Sequence, residues 1–211
     1  MKNIVIISVI LLSSIFHVYA GNYEETMEQN IRKLYQSQSP EELVEIANTF
    51  DRIGRKESGK WLPFYYASYA NVNLLFLSPD LSADEKNRYL DQAQEELDAA
   101  FKIKNKESES YTLQALICQM RITAQGDARQ YSALAGEALA KAELLDPQNP
   151  RVYYLKATNL FYRPKEFGGG AEVARPLFEK AAALFEGSKK QETLLPAWGR
   201  QQNQLMLEKC R

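Results

Sequence analysis

Three stretches of this chain repeat one spaced pattern: Ala, three residues, a large apolar residue, two residues, Ala. They are Ala93-Leu97-Ala100, Ala135-Leu139-Ala142 and Ala174-Phe178-Ala181. Steps of four and then three residues keep all three side chains of a stretch on one helical face. The small residues let two helix backbones approach, and the bulky one fills the space between layers. Two of the helices that precede these stretches carry Tyr with Ala four residues on, as Tyr111-Ala115 and Tyr153-Ala157. A chain that repeats such a face buries it against neighbouring copies of the same hairpin.

The rest of the chain agrees with that pattern. Glycine and proline cluster between long segments whose apolar residues recur three and four apart, and no segment alternates as strands do. The expected fold is all-α, with helices beginning near Tyr23, Ser39, Lys60, Ser82, Ser108, Gly126, Pro150 and Gly170, and a last one from Gln191 to Lys209. Ser39-Pro40-Glu41-Glu42 and Ser82-Ala83-Asp84-Glu85 are helix starts of the Ser-x-x-Glu kind, in which the side chains at both ends satisfy free backbone N–H groups. Pro176 falls inside the eighth segment, which predicts either a kink or a later helix start near Ala174.

Leu145-Asp146-Pro147 followed by Asn149-Pro150 closes one hairpin and opens the next. With the Tyr-Ala and Ala-large-Ala faces, this resembles the tetratricopeptide repeat family, best over residues 60–186. The stretch from Asn149 to Glu186 is most similar to exported repeat proteins of Gram-negative bacteria, Bacteroidetes above all. Successive alanine faces stand 42 (135 − 93) and 39 (174 − 135) residues apart, against about 34 in the standard unit. Insertions are therefore expected at Ser78 to Ala83 and Arg163 to Gly170. The family's Trp-Leu-Gly triplet is missing. The resemblance implies a right-handed α-α superhelix, a solenoid of about four helical hairpins plus a C-terminal helix. It also implies that the first helix of each pair lines a concave inner face.

Residues 1–20 read as an export signal. Lys2 precedes an apolar run from Ile4 to Phe16, and Val18-Tyr19-Ala20 supplies small residues before a cleavage point. The run is short for a membrane span, which needs about 20 apolar residues. Residues 21–211 are then the mature helical domain, in the periplasm or secreted, with the membrane involved only through the cleaved signal. The formal net charge is −1, which offers no electrostatic footprint for nucleic acid. The single histidine is His17, inside the expected signal. Ser-His-Asp and Cys-His chemistry are excluded from the mature chain, as are the commonest zinc sites. Cys118 and Cys210 could pair only if folding brought their Cα atoms within about 7 Å.

Candidate sites follow from the register and the resemblance. Tyr65 and Tyr69, Glu109, Thr112 and Gln119, and Arg151, Tyr154 and Thr158 are the expected inner-face residues, where aromatic and Arg anchors hold a partner. Tyrosines at consecutive positions cannot share one direction at 100° per residue. At least one of Tyr65 and Tyr66, and one of Tyr153 and Tyr154, is therefore expected at a surface. Phe167-Gly168-Gly169-Gly170 lacks the Lys and Ser/Thr of a phosphate loop, and reads as a tight connector. The acidic stretches Glu95-Glu96-Leu97-Asp98 and Glu107-Ser108-Glu109 read as solvated helix faces. The expected function is non-enzymatic, with no catalytic residue, cofactor or metal: an envelope adaptor holding a peptide or partner protein in its groove. The alternative is a periplasmic carrier of a small or lipid-like molecule.

Overall fold

The computed structural model describes residues 23–124, 126–187 and 194–211, and the expected signal lies outside them. The first helix, α1, covers 23–36. It is followed by α2 (Pro40–Lys56), α3 (Leu62–Leu77), α4 (Ala83–Ile103), α5 (Ser108–Thr123), α6 (Ala128–Leu145), α7 (Pro150–Tyr162), α8 (Ala171–Gly187) and α9 (Arg200–Lys209). No strand occurs among the described residues. Consecutive helices pack as hairpins, and α3, α5 and α7 also touch in series. The architecture is an all-α solenoid. None of these helices is long and apolar enough to cross a membrane.

Local chemistry starts α2, α4, α6 and α7 where the sequence indicates. Ser39 accepts a hydrogen bond from the Glu42 N–H at 3.3 Å with Pro40 opening α2. Ser82 and Glu85 form the reciprocal box at α4. Asp127 accepts from Gln130 N–H at 2.8 Å ahead of α6, and Asn149 accepts from Arg151 N–H at 3.0 Å ahead of α7. Each such cap is worth about 1 kcal/mol.

The alanine faces form the seams. Ala93, Leu97, Ala100, Ala135, Ala142, Ala174, Phe178 and Ala181 are wholly buried, and Leu139 is 1% exposed. Pro176 sits inside α8, which starts at Ala171 rather than Ala174. Its missing backbone bond costs about 3 kcal/mol, and seating Phe178 between Ala174 and Ala181 recovers an amount of that order. Cys118 and Cys210 are both free.

Two expectations are corrected. Helix α9 begins at Arg200, not near Gln191: residues 188–193 lie outside the described set, and 194–199 are non-helical. Pro196 is disfavoured in a helix interior, and Gly199 takes φ 99°, the left-handed region. Second, Tyr65 and Tyr66 are both fully buried. The first turns of α3 are enclosed all round, between α2 and α4 on one side and residues 194–198 on the other. A helix segment so enclosed has no solvent face for an aromatic to reach.

Because the seams have no spare volume, Ala93→Leu is expected to cost about 1–3 kcal/mol through overpacking. Ala140→Leu on the exposed side of α6 should stay within about 0.5 kcal/mol of the parent. Urea unfolding of both variants checks the difference.

Candidate functional site

Helices α1, α3, α5 and α7 line the inner face, and their registers divide it into two halves. Along α3 the positions run Tyr65, Tyr69, Asn73, Phe76; along α5, Glu109, Thr112, Leu116, Gln119; along α7, Arg151, Tyr154, Thr158, Tyr162. All are steps of three or four residues.

The half formed by the N-terminal turns of α3, α5 and α7 and the last turn of α1 is closed by the chain itself. Residues 194–198 form a strap laid across it. Tyr66 Oη donates to the Leu194 carbonyl at 2.9 Å, and Ala197 N–H donates to Tyr35 Oη at 3.0 Å. Trp198 Nε1 donates to Tyr65 Oη at 2.8 Å, and its ring stacks on Tyr69 with centroids 5.3 Å apart and planes 17° from parallel.

Under the strap lies a buried ion pair. Arg151 is 2% exposed and Glu109 8%, so the solvated-face reading of Glu109 is corrected. The guanidinium meets the carboxylate twice, Nε to Oε2 at 2.8 Å and Nη2 to Oε1 at 2.5 Å. Asn149 Nδ2 donates to the same Oε1 at 2.9 Å, and Arg151 Nη1 donates to the Trp198 carbonyl at 3.3 Å. Burial alone would lower the Arg151 pKa. The charge and hydrogen bonds of Glu109 more than offset this, so it is raised and the guanidinium stays charged. Burial pushes the Tyr65 and Tyr69 hydroxyls well above their ordinary values.

The remaining predicted residues sit between closed and open. Thr112 is wholly buried and donates to the Ser108 carbonyl at 2.8 Å. Gln119 donates to the Leu155 carbonyl at 2.9 Å, tying α5 to α7. Thr158 donates to the Tyr154 carbonyl at 2.9 Å, and burial raises the half-buried Tyr154 hydroxyl to about 12. Beyond them the face opens. Phe76 is 55% exposed and Tyr162 67%. Neither is among the expected inner-face residues, although extending the register by two turns from Tyr69 reaches Phe76 and by one from Thr158 reaches Tyr162.

A second concavity, about 400 Å³, lies between α2, α3 and α4. Asp51, Asn71, Arg88 and Glu96 are among its walls. Arg55 Nε holds both oxygens of Asp51 at 2.8 Å. Burial, and then the Asp51 charge, push the Glu96 carboxyl up to about 7. Glu96 is thus half-buried, not a solvated acid. Among the described residues no cluster of His, Cys, Asp and Glu is placed to hold a metal ion.

Removing one partner of the buried pair strands the other charge. Arg151→Met is expected to cost about 3–5 kcal/mol, and combining it with Glu109→Leu should recover a large part of that, read in a double-mutant denaturation cycle. Glu96 carries a pH signature. Its folded pKa is raised, so its proton is lost from the unfolded chain first, and the stability it contributes declines as pH rises from about 4.5 to about 7. Glu96→Gln should therefore raise the melting temperature more at pH 8 than at pH 5.

No protein-family model matches the chain, and no curated relative does. The tetratricopeptide resemblance accordingly rests on the residues quoted above. Among solved structures, the HusA haemophore from Porphyromonas gingivalis is similar through almost its whole length. It is 29% identical, the match covers 90% of this chain and 92% of that one, and the TM-score is 0.79.

Proposed function

We propose that this protein is an exported carrier that binds haem, or another flat tetrapyrrole, on the open half of its inner face. The observation that carries the reading is the similarity to a haemophore along 90% of the chain. The export signal read at residues 1–20 agrees with such a role. The closed half supports the small-molecule alternative over the peptide groove, because the strap covers part of the face and leaves a shorter open stretch than an extended peptide along the whole array would use. A protein partner remains part of the reading as the recipient of the cargo. No covalent step is involved.

The chemistry of binding follows from composition. Residues 21–211 contain no histidine, so no imidazole is available to an iron centre. Affinity would come from apolar and aromatic contact with the ring and from cations near its carboxylates. With affinity resting on those contacts, iron is expected under this reading to add little.

Titration of residues 21–211 with haemin and with iron-free protoporphyrin IX, followed by Soret absorbance and tryptophan quenching, tests this. The expected result is saturable binding of both at one equivalent, with affinities within about tenfold, a window of 1.4 kcal/mol. Failure of both to saturate would overturn the proposal.

A further inference from the structure

Helix α7 ends in a turn that the carrier reading does not by itself explain. Tyr162 is 67% exposed and Phe167 70%, two aromatics on six residues of surface chain, with Val173 at the start of α8 46% exposed. Single exposed apolar residues are ordinary, but large aromatics grouped on one surface mark a contact site.

The turn is also braced. Phe167 N–H and Gly169 N–H both donate to the Pro164 carbonyl, at 3.0 and 3.1 Å, and Gly170 N–H donates to the Leu160 carbonyl at 2.8 Å. Gly168 has φ 75°, and a Cβ at Gly169 would stand 2.1 Å from the Arg163 carbonyl oxygen. Only glycine fits there. Behind the turn, Phe161 meets Tyr162 edge to face with centroids 5.1 Å apart, and its other contact is Phe178, at 6.4 Å, in the core. Tyr162 therefore stands on an ordered ring and Phe167 on a braced backbone, which lowers the entropy lost when they engage a ligand.

Charge selects the kind of ligand. Arg163 and Lys165 flank the rings, both are exposed, and neither forms an ion pair among the described residues. With Glu166 the only acid among residues 162–167, the turn carries a net positive charge. Tyr162 is in addition the last inner-face position of α7, so the turn stands at the mouth of the open half. We propose that the turn from Tyr162 to Phe167 is where a planar, carboxylate-bearing tetrapyrrole is held, the rings of Tyr162 and Phe167 against its face and Arg163 and Lys165 on its carboxylates. This rests on the carrier reading and locates it.

The test uses residues 21–211 with protoporphyrin IX and its dimethyl ester, which lacks the carboxylate charge. Tyr162→Ala with Phe167→Ala is expected to weaken protoporphyrin binding at least about tenfold. Arg163→Glu with Lys165→Glu should weaken protoporphyrin more than the ester. Leu144→Ala, at the 84% exposed residue of α6, should leave both unchanged. Equal melting temperatures confirm that the variants fold, as their exposure leads one to expect. If the parent binds and both double variants stay within about twofold of it, the turn is not the site, while the carrier reading stands. If the parent binds neither porphyrin, the carrier reading itself fails.

Discussion

A guanidinium taken out of water needs a counter-charge and hydrogen bonds from the protein, and the way Arg151 obtains them organises the inner side of this array. Glu109 comes from α5 and the Trp198 carbonyl from the strap, while Asn149, in the turn before α7, donates to the Glu109 carboxylate. Three separate parts of the chain are thereby set around one ion pair. Such a pair contributes little net stability against an apolar replacement, and its use in other proteins is to fix one arrangement among several. Here the arrangement it fixes places Trp198 on Tyr69 and under Tyr65, with the guanidinium 5.8 Å from the indole ring.

The closed half then acts as a frame for the open one. Buried tyrosines, the ion pair and the strap hold α3, α5 and α7 in fixed relation, while the same helices run on to Phe76, Gln119 and Tyr162. The proposed carrier role requires that division. The part that touches cargo must be exposed and apolar, which is unfavourable in water, and the part beneath must keep those residues from collapsing onto each other. The rigid Gly168–Gly170 turn serves the same end at the last helix pair.

Much of the frame was legible in the chain. Ser39, Ser82, Asp127 and Asn149 announce helix starts because their side chains can reach only the backbone just ahead. The alanine faces announce the seams because small residues at those steps have little other use. The inner-face positions at Tyr65, Glu109 and Arg151 are expected from the register taken together with the tetratricopeptide resemblance. The strap was not legible. Leu194 and Leu195 extend the apolar spacing of the last helix, and only Pro196 and Gly199 mark the interruption. With that segment unread, nothing in the sequence says that Tyr65 and Tyr66 are both covered, or that Glu109 is withdrawn from solvent. Long-range closure is a property of the folded path, and local pattern does not record it.

That closure has a bearing on how the molecule forms. Arrays whose units touch only their neighbours can grow or fray one unit at a time from either end. The hydrogen bond from Ala197 to Tyr35 spans 162 residues, and that from Trp198 to Tyr65 spans 133. Contacts so distant in sequence carry a large loop-closure entropy and belong to the late part of folding. The strap can seat only after α1, α3, α5 and α7 have assembled, and once seated it couples the first helix to the last pair. A modular stack becomes a single cooperative body.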